Sequence, residues 1–148
     1  MKIVRNQEQA RGDEMREILF RGQSPFTKKW HEGLLAHNMD NDNGLYEGWY
    51  ISNSFGRPYA YRVHPETVGQ YTGLKDKNGV KVFEGDVVRY LNSIESGNGV
   101  VIFDACAFLF NWIDIDEIDS LLRYFQCSEE LEVIGNVHDN PEAMGEME

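Results

Sequence analysis

Asn78-Gly79 is the feature that most limits what this chain can become. Both residues tolerate positive φ. They stand between apolar-bearing flanks, Gln70-Tyr71-Thr72-Gly73-Leu74-Lys75-Asp76-Lys77 before and Val80-Lys81-Val82-Phe83 after. This is the strongest short-range signal for a β-hairpin, so residues 74–83 are expected to form one, turning at Asn78-Gly79. Glu84-Gly85-Asp86 is a second tight turn, leading into Val87-Val88-Arg89-Tyr90-Leu91. A Gly-Asp-Val-Val step of this kind suits a small, strongly bent β-barrel. Gly73, Asn78, Gly79 and Gly85 are read as structural turn residues that need unusual φ.

The rest of the chain is punctuated in the same way. Residues 17–21, 30–35, 46–51, 57–63, 99–103, 107–112 and 131–137 read as short strands. Gly, Pro, Asn, Asp and Ser clusters lie between them. In the fourth of these, Tyr59, Tyr61 and Val63 alternate with Ala60 and Arg62, the pattern of a half-buried strand. One helix is expected, over residues 114–125. Asp114 can cap it, Asp116 and Glu117 lie in its first turn, and Ile115, Ile118, Leu122 and Phe125 form an apolar stripe. The stripe should dock on the strands, leaving Asp116 and Asp119 in water. About eight strands against one helix indicate a mainly-β barrel or sandwich with an amphipathic helix in its C-terminal half. A chain of 148 residues can bury a sizeable core as one domain.

Charge divides the chain unevenly. Residues 1–103 hold thirteen basic and thirteen acidic residues, whereas residues 104–148 hold Arg123 and twelve acidic ones, so the whole net charge of −11 lies in the last third. That end repels a polyanion. A solvated acidic surface and tail, aiding solubility, explains it most simply, with a basic partner surface as the sharper reading. No apolar run approaches the ~20 residues that span a bilayer, and no partner membrane is expected. The opening MKIVRNQEQARGDE has no apolar h-region. Cys106 and Cys127 do not make a disulfide framework, so a reduced, cytoplasmic chain is expected. Residues 1–14 read as a disordered arm, 15–143 as the β domain and 144–148 as an acidic tail.

Tests for chemistry find little, and no catalytic, cofactor or metal residues are assigned. There is no phosphate-binding glycine loop. His31, His37, His64 and His138 are dispersed without metal-ligand spacing. Asp40-Asn41-Asp42-Asn43-Gly44 resembles a calcium loop, but Leu45 falls where the turn glycine belongs and Ile51 where the bidentate glutamate belongs, so a polar surface loop is expected. Cys106, flanked by alanines beside Phe103 and Phe108, is read as a buried, inert thiol. His64 has no nucleophile to serve. Arg57-Pro58-Tyr59-Ala60-Tyr61-Arg62 alternates cations and rings, as surfaces that stack single-stranded nucleic acid do. Arg57, Tyr59, Tyr61 and Arg62 are therefore a candidate binding face. The competing reading has the tyrosines facing the core and nearby Lys75, Lys77, Lys81 and Arg89 in cross-strand pairs. With no basic excess, nucleic acid is not the expected partner.

Several blocks resemble the YopX family of phage and prophage proteins. They are Arg16-Glu17-Ile18-Leu19-Phe20-Arg21-Gly22, Val68-Gly69-Gln70-Tyr71-Thr72-Gly73-Leu74-Lys75-Asp76-Lys77-Asn78-Gly79, Val82-Phe83-Glu84-Gly85-Asp86-Val87-Val88, Gly99-Val100-Val101-Ile102-Phe103, and Glu132-Val133-Ile134-Gly135-Asn136-Val137-His138-Asp139-Asn140-Pro141-Glu142. They run in order from about Met15 to Glu142. The resemblance implies an SH3-like barrel and carries no enzymatic activity, cofactor or catalytic residue. It also implies self-association. The function expected for such a chain is that of a non-enzymatic accessory protein that binds a host or phage protein, and the alternation at residues 57–62 keeps a nucleic-acid-binding regulator as the rival. Because the resemblance begins at Met15, the segment before it is also read as a translated leader.

Overall fold

The structure, a computed structural model, describes residues 16–42, 44–53, 59–91, 96–113, 120–121 and 130–144. The expected arm 1–14, Arg57, Cys127 and most of the acidic tail lie outside them. Among the described residues, eleven strands form two antiparallel sheets. The first is ordered β4-β3-β2-β1-β5-β6, from β1 (Phe20–Gln23), β2 (Trp30–Asn38), β3 (Gly48–Asn53), β4 (Tyr59–Val63), β5 (Gly69–Lys75) and β6 (Lys81–Phe83). The second is ordered β10-β9-β8-β7-β11, from β7 (Asp86–Leu91), β8 (Ser96–Asp104), β9 (Ala107–Trp112), β10 (Ser120–Leu121) and β11 (Leu131–Asn136).

Two expectations are corrected. Among the described residues there is no α-helix, only short 3-10 turns at Pro65–Thr67 and Pro141–Met144. Ser120 and Leu121, in the middle of the expected helix, instead pair with Phe110 and Leu109 as an edge strand. The open ladder of β9 takes them, and an extended pair there cannot belong to a continuous 114–125 helix. Residues 114–119 and 122–125 lie outside the described residues. The SH3-like barrel is also not seen, because neither sheet closes into a barrel. The first sheet curls until His64 N–H donates to the Gln23 carbonyl at 2.9 Å, but no ladder joins β4 to β1. Gly22 makes this approach tolerable, since a Cβ there would stand 2.8 Å from Val63 Cβ.

The hairpin forms where the turn chemistry puts it, with Lys75 opposite Lys81 and Tyr71 opposite Phe83. Its turn runs from Asp76 to Val80, with Gly79 N–H donating to the Asp76 carbonyl. Only Gly79 takes positive φ, at +79°, while Asn78 stays on the ordinary side. This is a three-residue loop closed by a glycine in the left-handed region, one of the standard hairpin solutions. Buried Asp76 holds it: Oδ1 accepts from Asn78 and Val80 N–H, and Oδ2 accepts from Val133 N–H of β11. The turn thus ties the first sheet to the second, and Lys77 N–H adds a bond to the Leu131 carbonyl. The main core forms here, from Val82, Val88, Val101, Phe110, Trp112 and Leu131.

A buried ion pair locks the same junction. Arg21 Nη1 of β1 lies 2.6 Å from Asp86 Oδ1 of β7, and Asp86 is 1% exposed. Asp86 Oδ2 also accepts the Phe83 N–H at 2.8 Å. The guanidinium sits 4.9 Å from the Trp30 ring and 5.0 Å from the Phe83 ring. Trp30 is held in turn by Asp139, whose carboxylate accepts from the Trp30 indole, Gln23 and Asn136. Burial raises the Asp86 carboxyl above its ordinary value, against the downward pull of Arg21. Folding therefore favours the protonated acid. The stability this group contributes is complete below the ordinary 3.8 and is lost as pH rises through the raised value.

Breaking the pair should cost more than removing it. Arg21→Met leaves a buried carboxylate uncompensated and should lose about 3–5 kcal/mol in urea denaturation. Arg21→Met/Asp86→Asn keeps the acceptor for Phe83 N–H without the charge and should recover at least half of that loss. A double variant no more stable than Arg21→Met would mean the charge itself is not what the fold must compensate. Separately, Gly79→Val should cost about 1–2 kcal/mol from backbone strain, because nothing stands within 4 Å of a Cβ there.

Candidate functional site

The gap left where the first sheet fails to close is an open groove of about 660 Å³. Ser24, Phe26, Thr27, Lys29 and His31, from the β1–β2 turn and the start of β2, line it together with Ala60, Tyr61 and Arg62 of β4, and Tyr46 and Tyr50 line it as well. Past Phe26 and Arg62 it continues into a second recess of about 350 Å³, where Trp49, His64 and Pro65 stand.

Local chemistry builds each wall. Ser24 Oγ accepts from Phe26 and Thr27 N–H, and Lys28 N–H donates to the Ser24 carbonyl, so Ser24-Pro25 begins a tight turn. Lys28 absorbs the strain at φ +60°. The turn presents Phe26 to solvent, 76% exposed. Opposite, Tyr61 stacks on His31 with ring centroids 3.9 Å apart and planes 8° from parallel. Arg62 extends outward and donates from Nη2 to the Glu47 carbonyl at 3.1 Å. Tyr46 is 75% exposed, and its carbonyl accepts from the buried Tyr50 hydroxyl at 2.7 Å.

β4 pairs only with β3 among the described residues. Its outer edge therefore offers alternating N–H and C=O groups along the groove. By contrast, β11 is covered by the hairpin turn and by Asn140, whose Oδ1 accepts from Asn136 N–H.

Of the expected binding face, Tyr61 and Arg62 line the groove, Tyr59 lies in β4, and Arg57 is outside the described residues. Tyr61 does not join the core; it stacks on His31. Lys77 and Lys81 do form ion pairs, with Glu132 and Glu17 at 3.1 Å each. Phe26, Lys29, His31 and Tyr46 were not legible as groove residues. Their one signal was a large aromatic, Phe26, set inside turn chemistry. Cys106 is corrected. It is exposed, at the two-residue tip between β8 and β9, with Ala105 and Cys106 at φ +47° and +64°. The Asp-Asn loop is occupied by its own hydrogen bonds: Asn38 Nδ2 donates to the Asp40, Leu45 and Tyr46 carbonyls, and Asn41 Oδ1 accepts from Glu47 N–H. No group of His, Cys, Asp and Glu among the described residues is placed to hold a metal ion. No helix among them is long and apolar enough to cross a membrane.

Burial, followed by the charge of Lys29, lowers the His31 imidazole below its ordinary 6.5. Its neutral form is therefore the one the fold prefers. That stability is complete above 6.5 and is lost as pH falls below it. In an NMR titration, Lys29→Gln should shift the His31 midpoint upward without unfolding the domain. A midpoint that stays put would show that Lys29 does not act on this ring.

Comparison with known proteins places the chain. No curated protein matches its sequence. Among solved structures, it is similar to protein EF1440 from Enterococcus faecalis, at 24% identity and a TM-score of 0.49, covering 88% of this chain and 99% of that one. The family model described as YopX protein matches residues 19–145. That span covers most of the sequence, from the last residue before β1 to just beyond the closing 3-10 turn, and the chain belongs to the YopX family.

Proposed function

We propose that this protein is a non-enzymatic binding module whose groove takes an extended segment of a partner protein along the outer edge of β4. The observation that carries this reading is the coincidence of a strand edge that has no partner among the described residues with the exposed rings of Phe26 and Tyr46 and the half-buried ring of Tyr61. The edge supplies main-chain hydrogen bonds, and Phe26, Tyr46 and Tyr61 supply apolar contact for alternate side chains. The setting we assign is a phage or prophage accessory protein in the bacterial cytoplasm, with a host or phage protein as partner. A second reading, single-stranded nucleic acid stacked on the same rings, is supported by the parallel Tyr61–His31 pair beside Lys29 and Arg62.

Selection from a random-sequence peptide library tests the first reading. Enriched peptides should slow amide exchange in β4 and should lose binding to a Tyr61→Leu variant that remains folded. A library that yields no binder, or binders that leave β4 exchange untouched, would refute the groove as a peptide site.

A further inference from the structure

The groove differs from the rest of the molecule in charge. The protein as a whole carries −11. Yet the residues lining the two recesses include Lys29, Arg62, His31 and His64 and no carboxylate. Burial first, and then the charge of Lys29, lowers the His31 imidazole that lines the same groove. Two cations thus stand among five aromatic side chains, Phe26, Tyr46, Trp49, Tyr50 and Tyr61. An occupant must bring its own negative charge to meet them, together with apolar groups for the rings.

We propose, resting on the peptide-groove reading above, that the segment bound along β4 is acidic. Its carboxylates meet Lys29 and Arg62, and an apolar side chain packs between Phe26 and the Tyr61–His31 stack. Lys29, in the lead into β2, and Arg62, on β4, both line the groove, so a strand laid along it passes both. Arg62 already spends one Nη2 hydrogen on the Glu47 carbonyl, which holds its guanidinium in place and leaves other donors for a carboxylate.

Three alternatives share part of this chemistry, and the charge pattern ranks them. A single-stranded nucleic acid would satisfy the rings and cations, but it has no ladder of amide donors and acceptors to pair with the edge of β4. A second copy of the chain brings its own −11, and two such copies repel. A neutral peptide would gain nothing from the two exposed cations beside it. A short acidic segment feels chiefly the charges within a Debye length of about 8 Å, and the charged side chains that line the groove itself are Lys29 and Arg62.

The peptide selection tests this directly, through the composition of what is enriched. The enriched pool should be rich in Asp and Glu alternating with apolar residues. One enriched peptide, labelled for fluorescence anisotropy, should bind at least about tenfold more weakly when its Asp and Glu are replaced by Asn and Gln, or when salt is raised. Lys29→Gln/Arg62→Gln should abolish the difference between the two peptides while leaving the circular dichroism spectrum unchanged. Enriched peptides that protect β4 but show no acidic bias would overturn this proposal and leave the peptide groove standing. An empty selection would overturn both. Oligothymidylate binding more tightly than the acidic peptide would overturn it in favour of nucleic acid. Self-association in light scattering that Arg62→Gln abolishes would overturn it in favour of a second copy.

Discussion

The contact between Arg21 and Asp86 is the constraint around which the rest of the structure is arranged. It joins β1 of one sheet to β7 of the other across 65 positions of sequence, with Asp86 fully buried and the Arg21 side chain 12% exposed. A buried pair of this kind adds little net stability, because desolvation offsets most of the attraction. Its effect is on geometry, since any other arrangement of the two sheets leaves a charge uncompensated. Every other polar group nearby supports it. Asp86 accepts from Phe83, Arg21 lies between two rings, and Asp139 reaches across to hold Trp30, Gln23 and Asn136. Three segments far apart in sequence are thereby held at one point: β1, the turn after β6, and the turn after β11.

With β1 committed to this joint and to β5, it has one ladder left, and β2 occupies it. The curl of the first sheet then brings β4 back towards β1 without a partner edge to accept it. A single backbone hydrogen bond and the packing of Val63 over Gly22 complete the approach. The groove follows from this incomplete closure. It is open because, among the described residues, the edge of β4 has no strand to pair with. It is walled by rings because the strands that curl around it carry Trp49, Tyr50 and Tyr61 and the connection before β3 carries Tyr46.

The distribution of charge gives this opening its character. Asp, Glu, Lys and Arg are balanced over the first 103 residues and strongly acidic beyond them. Locally, however, the fold gathers Lys29 and Arg62 into the lining of one groove, which includes no carboxylate. A net charge computed over the whole chain therefore argues about solubility and long-range repulsion, while binding at the groove is decided within a few ångströms.

Much of the fold was legible from local chemistry. The hairpin at residues 74–83, the strand at 107–112 and the alternation of Tyr61, Arg62 and Val63 follow from turn propensity and period-2 patterning, which act between near neighbours and survive in any context. The helix over 114–125 was not decided by its apolar spacing. Ser120 and Leu121 pair with β9 because an open strand edge elsewhere in the fold offers them hydrogen bonds, and a spacing rule does not see that edge. The burial of Asp86 against Arg21, the exposure of Cys106 on a two-residue turn, and the meeting of Phe26, Lys29 and His31 with Tyr61 and Arg62 are likewise long-range facts. By itself the sequence determined the hairpin, most of the strands and which family the chain joins. Tertiary structure alone decided which edge stayed unpaired and which side chains faced it, because those depend on how strands distant in sequence compete for the same ladders.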